Sequence, residues 1–161
     1  MFDLDRFKRA QDRAFEGFDT ALAELQAGSK RSHWIWYIFP QLAGLGSSSM
    51  SARYGLDGEG EAAAYLRDAL LRERLLAVTS AVAAQLQRRP PVALTDLMGS
   101  ETDVLKLVSS MTLFREVARR ADEGETLPDF AALAGKAETI LRVAAEQGYP
   151  QCAATCRRLG I

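Results

Sequence analysis

Cysteine and histidine are scarce in this chain. Among 161 residues there are two cysteines, Cys152 and Cys156, and one histidine, His33. Structural zinc usually takes four ligands, and two cysteines with one distant histidine make only three, so no metal site is expected. Cysteines four apart would share one helix face, where a disulfide is geometrically awkward. Reduced thiols in a cytoplasm are the simpler expectation. An excess charge of either sign is also missing. Twenty Lys and Arg stand against 21 Asp and Glu, a net charge of -1. Such a balanced chain has no global attraction to nucleic acid or to an anionic membrane. The short runs Arg88-Arg89 and Arg157-Arg158 leave room only for a local basic patch. No apolar run approaches the ~20 residues that span a bilayer. The first residues, MFDLDRFKRAQDRAF, lack the apolar stretch of a signal peptide, which again predicts a cytoplasmic protein. Neither a phosphate loop nor a dinucleotide fingerprint is present, and no cofactor is expected.

What is present suits one folded domain over residues 1–161. Hydrophobic residues make up 48% and charged residues 25%, ordinary values for a globular chain long enough to bury a core. Helical spacing dominates. Leu4, Phe7, Ala14, Phe18, Leu22 and Leu25 form one apolar stripe, predicting a first helix capped by Asp3 and stopped by Gly28. The stretch AGLGSSSMSARYGLDGEG reads as loop. From Glu59 the chain turns helical again. Leu75, Val78, Val82 and Leu86 make a stripe, with Asp68 placed to cap a fresh helix. Arg88-Arg89-Pro90-Pro91 breaks it. Ser100 and Asp103 form a capping pair before Val104, Val108, Met111 and Ala118. A polar turn is expected at Asp122 to Glu125. Phe130, Leu133, Ala137, Ile140, Leu141 and Ala144 follow as another stripe. Gly148-Tyr149-Pro150 ends it, and a last short helix carries both cysteines. The expected architecture is all-α: a single compact irregular multi-helix domain of about six helices.

Residues 30 to 54, KRSHWIWYIFPQLAGLGSSSMSARY, hold both tryptophans, the histidine and a glycine-serine loop. Trp34 to Phe39 is apolar on both alternate sets, so period cannot separate strand from helix. A short buried helix is the preferred reading, with Ser32 as cap and Pro40 as stop. This stretch reads as a core anchor, leaving His33, Gln41 and the loop to offer chemistry. Gly44-Leu45-Gly46-Ser47-Ser48-Ser49 can turn N–H groups into an anion-holding concavity, with Arg53 as counter-charge. A flexible surface loop fits the same residues. His33 titrates near neutrality and can serve as acid or base; a capping or hydrogen-bonding role fits equally. Lys106, Ser109 and Ser110 fall within about a 100° arc of one helix. That face can neutralise a phosphate, or it can be a solvated helix face. The paired acids Glu59 and Glu61 need no more than the favourable field at a helix start.

The segment HWIWYIFPQLAGLGSS, residues 33–48, resembles the HWxWxIFPQLxGLGxS signature of a bacterial family of unknown function. Further pieces fit the same family: Glu61-Ala62 with Tyr65-Leu66, Arg74-Leu75, and Asp103 and Lys106 with Ser109-Ser110-Met111-Thr112-Leu113-Phe114. The resemblance spans roughly residues 3 to 115 and implies a mainly α-helical single domain. Members are sometimes labelled "calpastatin", a label that does not suit a compact, apolar chain, because that inhibitor is long and disordered. The last third departs from the family pattern. Where Gly-x-x-Asp-x-x-Thr-Leu is expected, this chain has Gly148, Cys152 and Thr155-Cys156.

Three functions compete. The first is binding of a small anionic, nucleotide-like ligand, with Trp34, Trp36 and Tyr37 available to stack a base. Its site would comprise His33, Trp36, Gln41, Gly44, Gly46, Ser47, Ser48, Lys106, Ser109 and Ser110. The second is a non-enzymatic helical interaction module, monomer or homodimer, with no membrane or nucleic-acid partner. The third is a serine hydrolase using His33 and Ser47 to Ser49, although no orienting carboxylate is marked by spacing. No catalytic residue is assigned.

Overall fold

Gly17 divides what the first apolar stripe predicts as one helix. In the computed structural model, which describes residues 1–122 and 127–161, helix α1 spans Asp5–Gln11 and α2 spans Phe18–Ala27. The chain turns so tightly between them that a Cβ on Gly17 would lie 2.2 Å from the Arg13 carbonyl oxygen. Phe18, Leu22 and Leu25 keep to the core side, but Ala14 is exposed and Phe15 is 84% exposed. Asp3 is not the cap either. Leu4 holds that position, without a side-chain hydrogen bond. Gly28 does stop α2, in the left-handed conformation that glycine adopts without strain. The Gln85 amide then donates to the Leu25 and Gln26 carbonyls, each at 3.0 Å, satisfying the exposed helix end.

The aromatic stretch folds as a short buried helix, α3, Ile35–Ile38. Trp34, not Ser32, occupies its cap position. Ser32 is drawn away by Glu24, whose carboxylate accepts from the Arg31 and Ser32 backbone N–H groups, the Ser32 hydroxyl and the Trp34 indole at 2.9 Å. One carboxylate on α2 therefore fixes the entry into α3. Lys30 packs beside it, 4.9 Å over the Trp34 ring, and pairs with Asp103 at 2.9 Å.

The expected loop after the aromatics contains a further helix, α4, Ser49–Tyr54, with the Ser48 hydroxyl accepting from the Ser51 N–H. Then come α5, Gly58–Arg67, and α6, Ala69–Leu86, started as expected by Asp68, whose carboxylate accepts from the Leu71 N–H at 3.1 Å. Helix α7, Leu94–Met98, is short and has no stripe long enough to mark it. Helix α8, Glu101–Asp122, follows the Ser100 cap, which accepts from the Asp103 N–H at 3.1 Å. Glu101 and Asp103 in its first turn and Arg119 and Arg120 in its last suit the helix dipole. Helix α9, Pro128–Glu146, begins on a proline and α10, Ala153–Leu159, closes the chain. The polar turn expected from Asp122 to Glu125 falls on residues outside those described, apart from the helix end at Asp122. Ten helices among the described residues thus replace the expected six, because one stripe is broken and short helices sit where loop or nothing was expected. No strand occurs among them; a single bridge joins Leu42 and Leu56.

Helix α8 is the spine. It packs on α9, α5, α7, α10 and α3, while α6 packs on α9 and α2. Its Val104, Leu107, Val108, Met111 and Phe114 are all buried. The stripes of α6 and α9 are buried as expected, from Leu75 to Leu86 and from Phe130 to Ala144. A chain of rings ties the N-terminal half to the spine: Tyr37 to Tyr54 at 5.2 Å, Tyr54 to Phe7 at 5.9 Å, Phe7 to Tyr65 at 5.2 Å and Tyr65 to Phe114 at 5.4 Å. Each such pair adds about 0.5–1.5 kcal/mol beyond its buried area. Among the described residues no helix is long and apolar enough to cross a membrane.

Candidate functional site

Three openings line up along the N-terminal half of α8. They exist because two flanking segments are pinned there. On one side, the bridge between Leu42 and Leu56 is made by the Leu56 N–H donating to the Gln41 carbonyl at 2.9 Å and the Ala43 N–H donating to the Leu56 carbonyl at 2.8 Å. This holds residues 41–45 beside the helix. On the other side, the Cys152 N–H donates to the Thr112 hydroxyl at 3.2 Å, and Arg115 donates to the Gln151 side chain at 2.7 Å. The Arg158 guanidinium closes the circuit by donating to the Ala43 carbonyl.

Between these walls lies a cavity of about 370 Å³, bounded by Gln41, Leu45, Leu105, Lys106, Ser109 and Cys152. Next to it, with Gln41 and Lys106 in common, is a void of about 10 Å³ that also touches Trp36, Ser51 and Tyr54. Beyond Trp36 a cleft of about 360 Å³ opens between residues 30–33 and the start of α8, bounded by Arg31, His33, Ser100 and Asp103.

The residues singled out by sequence divide between these places. Gln41, Lys106 and Ser109 meet in the larger cavity. Trp36 stands between the void and the cleft, and His33 lies exposed at the cleft. Gly44, Ser47 and Ser48 are exposed on the loop and line none of the three. Gly44 has φ +90° in open space, the one loop glycine with a left-handed backbone. Gly46 is there for close packing, since a Cβ would sit 2.4 Å from the Ser51 hydroxyl. Ser110 is wholly buried, its hydroxyl has no partner among the described residues, and it borders none of the three openings. Trp34 and Tyr37 are core residues, not stacking platforms. No hydrogen bond joins His33 to a serine among the described residues, and the Ser48 hydroxyl is engaged with Ser51 at 3.0 Å.

Lys106 supplies the electrostatics. It is half-buried and has no ion pair among the described residues. Four other cations of low exposure are matched: Lys30 with Asp103, Arg6 with Glu61, Arg74 with Asp12 and Arg115 with Glu138. Lys106 therefore brings an uncancelled positive charge to a partly desolvated place.

Sequence reasoning missed Cys152, Ser51 and Tyr54. The thiol of Cys152 faces the cavity at the start of α10, and the Thr155 hydroxyl donates to it at 3.1 Å. Burial raises the pKa of this thiol. Hydrogen bonds from the Ser109 and Thr155 hydroxyls and from the Thr155 and Ala154 backbone N–H groups outweigh burial and hold it below the usual thiol range. Only the tertiary approach of residue 152 to residue 109 creates that environment. Both cysteines are free thiols. Among the described residues no cluster of three or more His, Cys, Asp or Glu side chains could hold a metal.

Comparison with known proteins agrees with a single fold over the chain. No curated protein matches the chain. The crystal structure of the conserved hypothetical protein Rv1873 from Mycobacterium tuberculosis, at 1.38 Å, is similar to it with a TM-score of 0.72 and 36% identity, over 99% of this chain and 98% of that one. A family model described as "Protein of unknown function (DUF1810)" matches residues 1–141. The fold, the similar crystal structure and the span of that match together place this chain in the DUF1810 family.

Proposed function

We propose that the protein binds a small anionic ligand in the cavity between residues 41–45 and α8. The observation that carries this reading is Lys106: a half-buried ammonium without a carboxylate partner, lining both the cavity and the adjoining void. An anionic group on the ligand would meet this charge at short range, where partial burial weakens screening by solvent. Gln41 and Ser109 add neutral polar groups, while Leu45 and Leu105 offer apolar area for the rest of the molecule. A few polar groups in a partly apolar concavity of this size suit a metabolite.

A thermal-shift screen of nucleotides, phosphosugars and carboxylates tests it. A ligand at a hundred times its dissociation constant stabilises by about 2.7 kcal/mol. Lys106→Met should abolish the shift while leaving the unliganded protein folded. A shift of unchanged size in Lys106→Met overturns the reading.

A further inference from the structure

The void of about 10 Å³ has room for about one water-sized species. Its chemistry is one-sided. Lys106 and the Trp36 indole are obligate donors, and Gln41, Ser51 and Tyr54 can each donate a hydrogen bond. No carboxylate borders it. The Trp36 indole nitrogen is fully buried and has no hydrogen-bond partner among the described residues, a state that costs a protein free energy unless an acceptor arrives. Trp34 shows the contrast, because its indole nitrogen donates to Glu24 at 2.9 Å.

We propose that this void is the anion subsite of the cavity described above. It would take one oxygen of the ligand's carboxylate or phosphate, held by the Trp36 indole N–H and the Lys106 ammonium. The inference rests on the proposed anion binding and makes it more specific, for it says which atoms receive the charge. Gln41 and Lys106 border both spaces, so an oxygen lodged in the void leaves the remainder of the molecule in the larger cavity. Space for one atom favours a group that projects a single oxygen. It also explains why Trp36 is set apart from the buried Trp34 despite being two residues away. Trp36 borders two openings and is only partly buried.

The two indole N–H groups make the test. In protein labelled with 15N at the indole nitrogens, each tryptophan gives one signal, and Trp36→Phe assigns the pair. Sodium formate and inorganic phosphate are the probes. The expected result is a saturable shift of the Trp36 signal with either probe, no shift of the Trp34 signal, and loss of the response in Lys106→Met. Trp36→Phe should weaken formate or phosphate binding about tenfold, the loss of one charge-assisted hydrogen bond. A Trp36 signal indifferent to both probes overturns the subsite, and so does a non-saturating drift of both indoles together. These outcomes are separable from those of the thermal-shift screen. Ligand binding lost in Lys106→Met with a silent Trp36 signal keeps the cavity and removes the subsite. Where Trp36→Phe does not fold, nuclear Overhauser contacts of each indole proton in the unmodified protein assign the pair, and the titration remains decisive.

Discussion

Arg6 and Glu61 stand 55 positions apart and grip each other through two hydrogen bonds, of 2.8 and 3.2 Å. The Glu61 side chain is only 4% exposed. The same guanidinium donates to the Arg53 and Gly55 carbonyls at 2.9 and 3.0 Å, and the carboxylate also accepts from the Asp57 N–H at 2.8 Å. One ion pair thus ties α1 to α5 and to the chain leaving α4. Removing one partner of a buried pair strands the other charge. Glu61→Gln should therefore destabilise by about 3 kcal/mol, roughly 6–12 °C in Tm for a chain of this size. Calorimetry of the variant checks it.

Acid should weaken the fold through the same group. Burial raises the Glu61 pKa, but the Arg6 guanidinium and the Asp57 N–H outweigh burial and hold it below the ordinary value. Glu24 is likewise lowered, because hydrogen bonds from Ser32, Arg31 and Trp34 overcome its burial. A depressed carboxylate contributes stability that is complete above its unfolded pKa, about 4.3 for Glu, and lost as pH falls through its folded value. Denaturant midpoints should be flat above pH 5 and fall below about pH 4. Glu61→Gln should show a shallower fall than the parent protein.

Gly17 should resist substitution. Any Cβ there meets the Arg13 and Gln11 carbonyl oxygens at 2.2 and 2.7 Å, both backbone atoms that cannot swing aside. Gly17→Ala should cost about 1–3 kcal/mol, although alanine would favour a continuous helix. Stabilisation by Gly17→Ala, measured by urea unfolding, would contradict the break between α1 and α2.

Cys152 should be the reactive thiol of the two. Its thiolate is favoured by Ser109, Thr155 and two backbone N–H groups, whereas Cys156 is 8% exposed. Iodoacetamide at neutral pH should label Cys152 first, as read by peptide mass spectrometry. Thr155→Val should slow that labelling by raising the pKa. A saturating ligand in the cavity should slow it as well, since Cys152 forms part of the wall.

The long stripes were readable in the sequence because burial of one helix face writes a period into it. Leu75 to Leu86 on α6 and Phe130 to Ala144 on α9 are such faces. The caps at Asp68 and Ser100 were readable too, since a capping side chain acts within three residues of itself. Gly17 was not, because the stripe continues in phase on both sides of the break and only a close backbone approach betrays it. The helices α4 and α7 are too short to repeat any period. At the site, Lys106 and Ser109 could be paired from their helix spacing, and Gln41 from its place after the aromatics. Cys152, Ser51 and Tyr54 join them through contacts that span long stretches of chain, which local pattern does not encode. Ser110 misled because a helix arc says which side chains are neighbours and nothing about what covers them.

The far wall of the cavity has its own consequence. Cys152 and Ala154 lie beyond residue 141, where the family match ends, whereas Lys106 and Gln41 lie within it. The charge-bearing side thus lies inside the matched region and part of the enclosing wall outside it. Exchanging residues 147–161 between relatives should change the volume of the cavity without moving the Lys106 ammonium.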